Sequence, residues 1–259
     1  MIRRGHRRTK GRDALRLGVL TRAFAFTCAV TWYVGALVVL AVALPVEAVV
    51  WTLTAPFDRD RLLAGRLLRV FGSALARIFP PWRVRIEGRL PPGPFVLAAN
   101  HRSWLDIFVL ARLPREMKWV TKAELFRVPW LGWLLRMSAD IPVLRGDAES
   151  GAGALTKARG YLDHGIPVVF FPEGTRSRDG ALRAFKGGAF EVAASAGVPV
   201  VPVAITGTAQ GMPPDTLWIR PSRIVVKILE PVRGDSASLR AETRARIAAS
   251  LAESSSAAS

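Results

Sequence analysis

Charge is distributed unevenly along the first 80 residues. Residues 1–22 carry Arg3, Arg4, Arg7, Arg8, Lys10, Arg12, Arg16 and Arg22 against a single Asp13, whereas residues 23–44 carry no charge. An uncharged run of that length matches the roughly 20 residues needed to cross a hydrocarbon core. After Pro45 and Glu47 a shorter apolar piece fills residues 48–57. Leu63, Leu67, Val70, Phe71, Ala74, Leu75 and Ile78 then recur at helical spacing, with Arg59, Arg66, Arg69 and Arg77 between them, the pattern of an amphipathic helix. Both flanks of the apolar region are rich in arginine, so a single span would translocate one of them against the usual bias of positive charge. The pattern therefore predicts a basic cytoplasmic leader over residues 1–22. Membrane-anchoring helices follow over residues 23–80: a hairpin broken at Pro45 that enters one leaflet and returns, then an interfacial helix. A cleaved signal peptide fits less well, because the run is long and hydrophobicity resumes after any cut at Ala41-Val42-Ala43.

From residue 82 the periodicity changes. Residues 82–87 alternate apolar and charged side chains, as a half-exposed strand does. Residues 95–99 form a continuous apolar run typical of a buried strand. Comparable runs lie at 118–121, 141–144, 168–171, 200–205 and 224–229. Helical patterns occupy 104–111, 129–137, 152–164, 187–196 and 237–252. Strands alternating with helices predict an α/β domain over residues 81–253, a mostly parallel sheet flanked by helices on both faces. In such sheets the loops leaving the carboxyl ends of strands form the site. Residues 254–259 read as a flexible tail.

Size and charge narrow the picture. The 259 residues hold one ordinary domain plus an appendage. The formal charge of +17 favours an anionic partner: nucleic acid, acidic lipid headgroups or an acidic carrier protein. Nucleic acid is disfavoured, because arginine concentrates in the leader and the amphipathic helix and no aromatic-rich binding motif is present. With Cys28 as the single cysteine, an intramolecular disulfide and a Cys-based zinc site are both excluded.

Three histidines are present. His6 lies in the leader, and His164 precedes Gly165 at a helix end, where a cation suits the dipole. His101 directly follows a buried strand, in Asn100-His101-Arg102-Ser103-Trp104-Leu105-Asp106. A carboxylate fixes such a histidine's tautomer and stabilises its charged form. Five positions along a regular helix would turn Asp106 roughly 140° away from His101. The two meet only with His101 in the loop and Asp106 on the first helical turn, where the pattern places them. A second buried run, Val168 to Phe171, leads into Pro172-Glu173-Gly174-Thr175-Arg176-Ser177. Gly174 permits a tight turn whose N–H groups face an anion, and Arg176 offers a planar fork to phosphate. Glu173 is suited either to orient that arginine or to bond a substrate hydroxyl.

These loops resemble the glycerolipid acyltransferase family, which includes the 1-acylglycerol-3-phosphate acyltransferases, over most of residues 82–232. Asn100-His101 with Asp106 is similar to its first motif, and Phe171 through Ser177 matches its third. The stretch from Gly132 through Ile141-Pro142-Val143-Leu144-Arg145 resembles the second, whose arginine maps to Arg145, although Val143 and Leu144 replace the usual aromatic and acidic residues. Val198 to Val203 is similar to the fourth, a strand with proline. The resemblance implies direct acyl transfer with no cofactor and no metal. His101 is the implied general base and Asp106 its orienting partner. Arg176 and Arg145 would grip the acceptor phosphate, with Glu173, Gly174 and Thr175 shaping the cradle. Lys186 either adds charge there or is a solvated lysine. The implied donor is acyl-CoA or acyl-carrier protein, and the implied acceptor is lysophosphatidic acid, giving phosphatidic acid for phospholipid biosynthesis. Glycerol-3-phosphate, a lyso-aminolipid or a lysophospholipid are alternative acceptors. The expected location is the inner membrane, in contact with membrane lipid, with the site on the cytoplasmic face.

Overall fold

Why a helix forms first follows from the uncharged run, which has no means of satisfying its backbone except internally. The computed structural model describes the backbone of residues 5–79, 81–177 and 179–256, and side chains within residues 23–254. Helix α1, Gly5–Thr54, is continuous and carries Pro45 inside it. The expected break at Pro45 is thus corrected. Proline has no N–H to leave unpaired, whereas unwinding there would strand several backbone groups among apolar side chains. The chain reverses instead at residues 55–61. Asp58 makes that turn by accepting the N–H groups of Leu62 and Leu63, each at 2.8 Å, which caps the start of α2, Leu62–Arg77. Residues 48–54 are therefore the end of α1 and 55–57 the start of the turn, not a returning arm. No break separates residues 5–22 from the apolar run, while residues 1–4 lie outside the described ones. By length and composition, Ala23–Thr54 is apolar enough to cross a membrane.

Seven strands follow in the expected places: β1 (Trp82–Glu87), β2 (Val96–Ala99), β3 (Lys118–Lys122), β4 (Ile141–Val143), β5 (Val168–Phe170), β6 (Val200–Thr206) and β7 (Ser222–Ile228). They form one sheet in the order β1-β7-β6-β2-β5-β3-β4. All pairs are parallel except β6 with β7. The helices are α3 (Leu105–Leu110), α4 (Leu131–Met137), α5 (Ala148–Asp163), α6 (Gly188–Ala196), a short α7 (Thr208–Gly211) and α8 (Ser236–Ser256). A 3-10 turn, Ala123–Arg127, precedes α4. Helix α8 continues past residue 254, where a tail was expected, and residues 257–259 lie outside the described ones.

Alternation along β2 shows how the sheet is covered. Leu97 and Ala99 join a core with Trp32 of α1, Ala76 of α2, and Leu105, Val109 and Leu110 of α3. Val96 and Ala98 point the other way, into a core with Ala154, Ala158 and Leu162 of α5, Phe190 of α6, and Leu239 and Ile247 of α8. Every residue of β2 is buried, which accounts for its unbroken apolar run.

One stretch of this interior is charged. Arg69 of α2, one of the arginines between the apolar positions of the expected interfacial helix, is ion-paired with Asp140, whose second oxygen accepts its Nη2 at 2.6 Å. Lys118 at the start of β3 is fully buried and donates to the carbonyls of Ser138 at 2.6 Å and Arg61 at 3.0 Å. Glu47 of α1 and Glu116 sit beside them with no hydrogen bond to either carboxyl oxygen among the described residues. Removing one member of such a desolvated set leaves an uncompensated charge. The cluster therefore ties α1 and α2 to the sheet edge by more than apolar contact.

Candidate active site

Two parallel neighbours, β2 and β5, end side by side, with Ala98 opposite Phe170. Their following loops emerge together at the carboxyl edge of the sheet, as the open α/β rule requires. Asn100 fixes the first loop. Its Nδ2 donates to the carbonyl of Ile205 at 2.9 Å, and its Oδ1 accepts the Ile205 N–H at 2.7 Å. Ser103 fixes the other end by donating to the carbonyl of Met212 at 2.6 Å.

Between these pins, Nδ1 of His101 lies 2.8 Å from Oδ2 of Asp106. The same oxygen accepts the N–H groups of Arg102 at 2.7 Å and Ser103 at 2.8 Å. Asp106 is fully buried and sits in the first turn of α3. Since an ionised carboxylate only accepts, Nδ1 carries the hydrogen and Nε2 presents its lone pair. No described residue hydrogen-bonds Nε2. The imidazole stacks on Phe171, centroids 4.1 Å apart at 24°, which fixes its plane.

The second loop is bound to the first by backbone. Oε1 of Glu173 accepts the His101 N–H at 2.7 Å, and Oε2 accepts the Arg183 N–H at 3.0 Å. The Ser177 N–H in turn donates to the His101 carbonyl at 2.8 Å. Burial raises the Glu173 carboxyl above its ordinary range, while its two N–H donors act against that rise. Of the two expected uses of Glu173, orienting Arg176 is corrected, because its oxygens bond these backbone N–H groups and Arg176 is held by other residues. Trp104 and Asp215 hold Arg176 instead. The guanidinium lies 5.1 Å from the Trp104 ring centroid, and Nη2 is 3.4 Å from Oδ1 of Asp215.

Gly174 adopts φ 71°, a conformation side chains rarely tolerate, and a Cβ there would meet Cε of Lys186 at 2.8 Å. Lys186 thus lies across the turn, and Thr175 is exposed upon it. Arg145 follows β4 and faces Arg176 closely enough for its charge to be felt. Desolvation lowers the Arg145 guanidinium and Arg176 lowers it further, while Glu124 opposes both. Lys122, at the carboxyl end of β3 and 3.1 Å from Glu124, adds a further cation that the sequence reading passed over. Its position at a strand end was the available signal. Arg176, Arg145, Lys186 and Lys122 are thus contributed by consecutive loops of one sheet edge. A cavity of about 590 Å³ is lined by Asp60, Phe126, Arg136, Lys157, Tyr161 and His164 among others, and includes neither His101 nor the Glu173–Ser177 turn.

The same region is shared with known proteins. The family described as Acyltransferase matches residues 82–206. A chloroplastic 1-acyl-sn-glycerol-3-phosphate acyltransferase of Arabidopsis thaliana is 39% identical over 180 residues, 67% of this chain and 51% of its own length. A lyso-ornithine lipid O-acyltransferase of Pseudomonas aeruginosa is 37% identical over 133 residues, 51% of each chain. The present chain thus spans about half the length of the curated relatives it matches. The solved structure of the 1-acyl-sn-glycerophosphate acyltransferase PlsC from Thermotoga maritima aligns with a TM-score of 0.73 at 25% identity, covering 90% of this chain and 96% of that one. A paired histidine and aspartate beside a glycine–arginine turn thus lie within residues 82–206, the part of this chain that matches the acyltransferase family.

Proposed function

We propose that the chain moves a fatty acyl group from a thioester donor, acyl-CoA or acyl-carrier protein, to the free hydroxyl of 1-acylglycerol-3-phosphate, forming phosphatidic acid. The observation that carries this reading is the 2.8 Å contact between His101 and Asp106, with Nε2 not bonded to any described residue and the Arg176 loop bonded to the same backbone. Nε2 takes the proton of the acceptor hydroxyl as its oxygen attacks the thioester carbonyl. The tetrahedral adduct collapses, the C–S bond breaks, and the imidazolium returns its proton to the departing sulfur. General-base assistance of this kind contributes ~10²–10⁴ in rate. Arg176 and Arg145 grip the acceptor phosphate, which places the hydroxyl and lowers the entropic part of the barrier. All steps use protein side chains and the thioester alone. An acceptor dissolved in lipid and a donor arriving from water fit a site at the cytoplasmic face of the inner membrane, and the apolar helix Ala23–Thr54 supports anchorage there.

A radiolabelled acyl donor offered with lysophosphatidic acid, glycerol-3-phosphate, lyso-ornithine lipid and lysophosphatidylcholine tests the reading. Lysophosphatidic acid is expected to be acylated fastest, and His101→Ala to abolish transfer while leaving the protein folded. Preference for lyso-ornithine lipid, which has no phosphate, would remove the role given to Arg176.

A further inference from the structure

The start of helix α4 leaves two large aromatic side chains in solvent, Trp130 just before the helix and Trp133 within it. Trp130 and Trp133 are 54% and 53% exposed, and Val128 beside them is 43% exposed. Their rings form an edge-to-face pair with centroids 5.7 Å apart, so they make one surface. Arg127 and Arg136, also exposed, flank it.

The backbone is strained in a way that presents this pair. Trp130 adopts φ 66°, ψ −60°, and the Leu131 N–H donates to the Pro129 carbonyl at 2.8 Å. That combination is a γ-turn of the rare, costly hand, in a bulky residue. Gly132 secures it, because a Cβ there would lie 2.2 Å from the Phe126 carbonyl oxygen. A core-packing residue would repay such strain with full burial, whereas Trp130 stays 54% exposed.

We propose that Trp130 and Trp133 are interfacial anchors by which the catalytic domain itself, separately from α1, enters the headgroup region of a lipid bilayer. The proposal rests on the membrane-bound reading above. Paired tryptophans between arginines combine an apolar body, a polar N–H and cations that suit anionic headgroups. Position agrees with composition. Helix α4 packs against α1 and α2, and α1 itself exposes Val46, Val49 and Leu53 near its carboxyl end, with Phe57 exposed in the turn after it. The aromatic pair and the exposed apolar side chains of α1 thus belong to elements that pack together. Through β4 it is joined to Arg145, so seating it in the interface sets the height of the phosphate grip above the acyl region.

Two double variants of the full chain test this. Trp130→Ser/Trp133→Ser is expected to lose about tenfold in activity on lysophosphatidic acid presented in phosphatidylglycerol vesicles. With a short-chain lysophosphatidic acid dissolved below its micelle concentration it should stay within about twofold of wild type. Trp130→Phe/Trp133→Phe keeps the apolar bulk, so it should retain most vesicle activity. It should also lack the part of wild-type tryptophan fluorescence quenched by brominated phosphatidylcholine in the same vesicles. Equal losses with vesicle and dissolved acceptor would overturn the proposal by placing the pair in the site. So would identical fractional quenching in the Phe variant and wild type. The quenching arm needs no turnover, so it decides the matter even if lysophosphatidic acid proves not to be the acceptor.

Discussion

The peptide N–H of His101 donates to Oε1 of Glu173 at 2.7 Å, while the carbonyl of the same residue accepts the Ser177 N–H at 2.8 Å. Both polar groups of one backbone unit are thus committed to the neighbouring loop. Position of the imidazole is consequently set by residues more than seventy places along the chain, and the two loops shift together or not at all.

Glu173→Ala should therefore impair catalysis more than acceptor binding. It leaves the buried N–H of His101 without a partner, at a cost of about 1–3 kcal/mol, and frees the loop that aims Nε2. Expected outcomes are a fall in kcat of about tenfold to a hundredfold, a lower unfolding midpoint and a nearly unchanged acceptor KM. A rise in KM with intact kcat would return Glu173 to substrate binding.

Asp106→Asn isolates charge from geometry. An amide oxygen can still accept the Arg102 and Ser103 N–H groups, so the loop is retained, but the imidazolium loses its counter-charge. The expected loss in kcat is ~10²–10⁴ with native near-UV circular dichroism. Wild-type turnover in this variant would show that the 2.8 Å contact is only structural.

Arg176 meets Asp215 across an exposed 3.4 Å pair, so a phosphate must compete with that carboxylate. Arg176→Ala should raise the acceptor KM about tenfold or more, leaving the donor KM unchanged, since charge-assisted bonds contribute ~1.5–3 kcal/mol. Asp215→Asn should act in the opposite direction and lower the acceptor KM by about two- to threefold, the modest amount expected of a solvated pair. Titrating acceptor and donor separately distinguishes the two effects.

How much of this was legible in the sequence depends on range. Central parallel strands are buried on both faces, so β2 and β5 stand out as apolar runs, and the loops after them carry His101 and Arg176 in plain view. Reversal of the chain at residues 55–61 was hidden, because Pro45 is the louder local signal and the capping role of Asp58 depends on where the helix actually stops. The role of Glu173 was hidden for a different reason: its partners are N–H groups, which every residue has. Pairing of β1 with β7 joins segments about 140 residues apart, and no local period records that. Arg69 sat on the polar side of an amphipathic pattern, yet its partner Asp140 lies on another element.

That buried charge cluster gives the last prediction. Burial pushes the Glu116 carboxyl up to about 7, against the attraction of Arg69 and Lys118. The native protein therefore keeps a proton on Glu116 across the range where an unfolded chain has released it, from about 4.5 upward. Bound protons in excess in the native state make stability fall as pH rises, and the fall ends once the native group has ionised near 7. Glu116→Gln cannot titrate, so its stability should lack this component. The difference between wild type and Glu116→Gln should move in the variant's favour by on the order of 2 kcal/mol between pH 5 and 8, after discounting for partial exposure and for the coupled charges. Glu47, Asp140 and Arg66 also face the cluster, and Glu116 acts on Glu47 in turn, so the difference reports the coupled group and not Glu116 in isolation. Denaturant midpoints at pH 5, 6, 7 and 8 measure it. Parallel curves for the two proteins would mean that Glu116 is ionised in the folded state throughout, stabilised by Arg69 and Lys118 more strongly than burial opposes it.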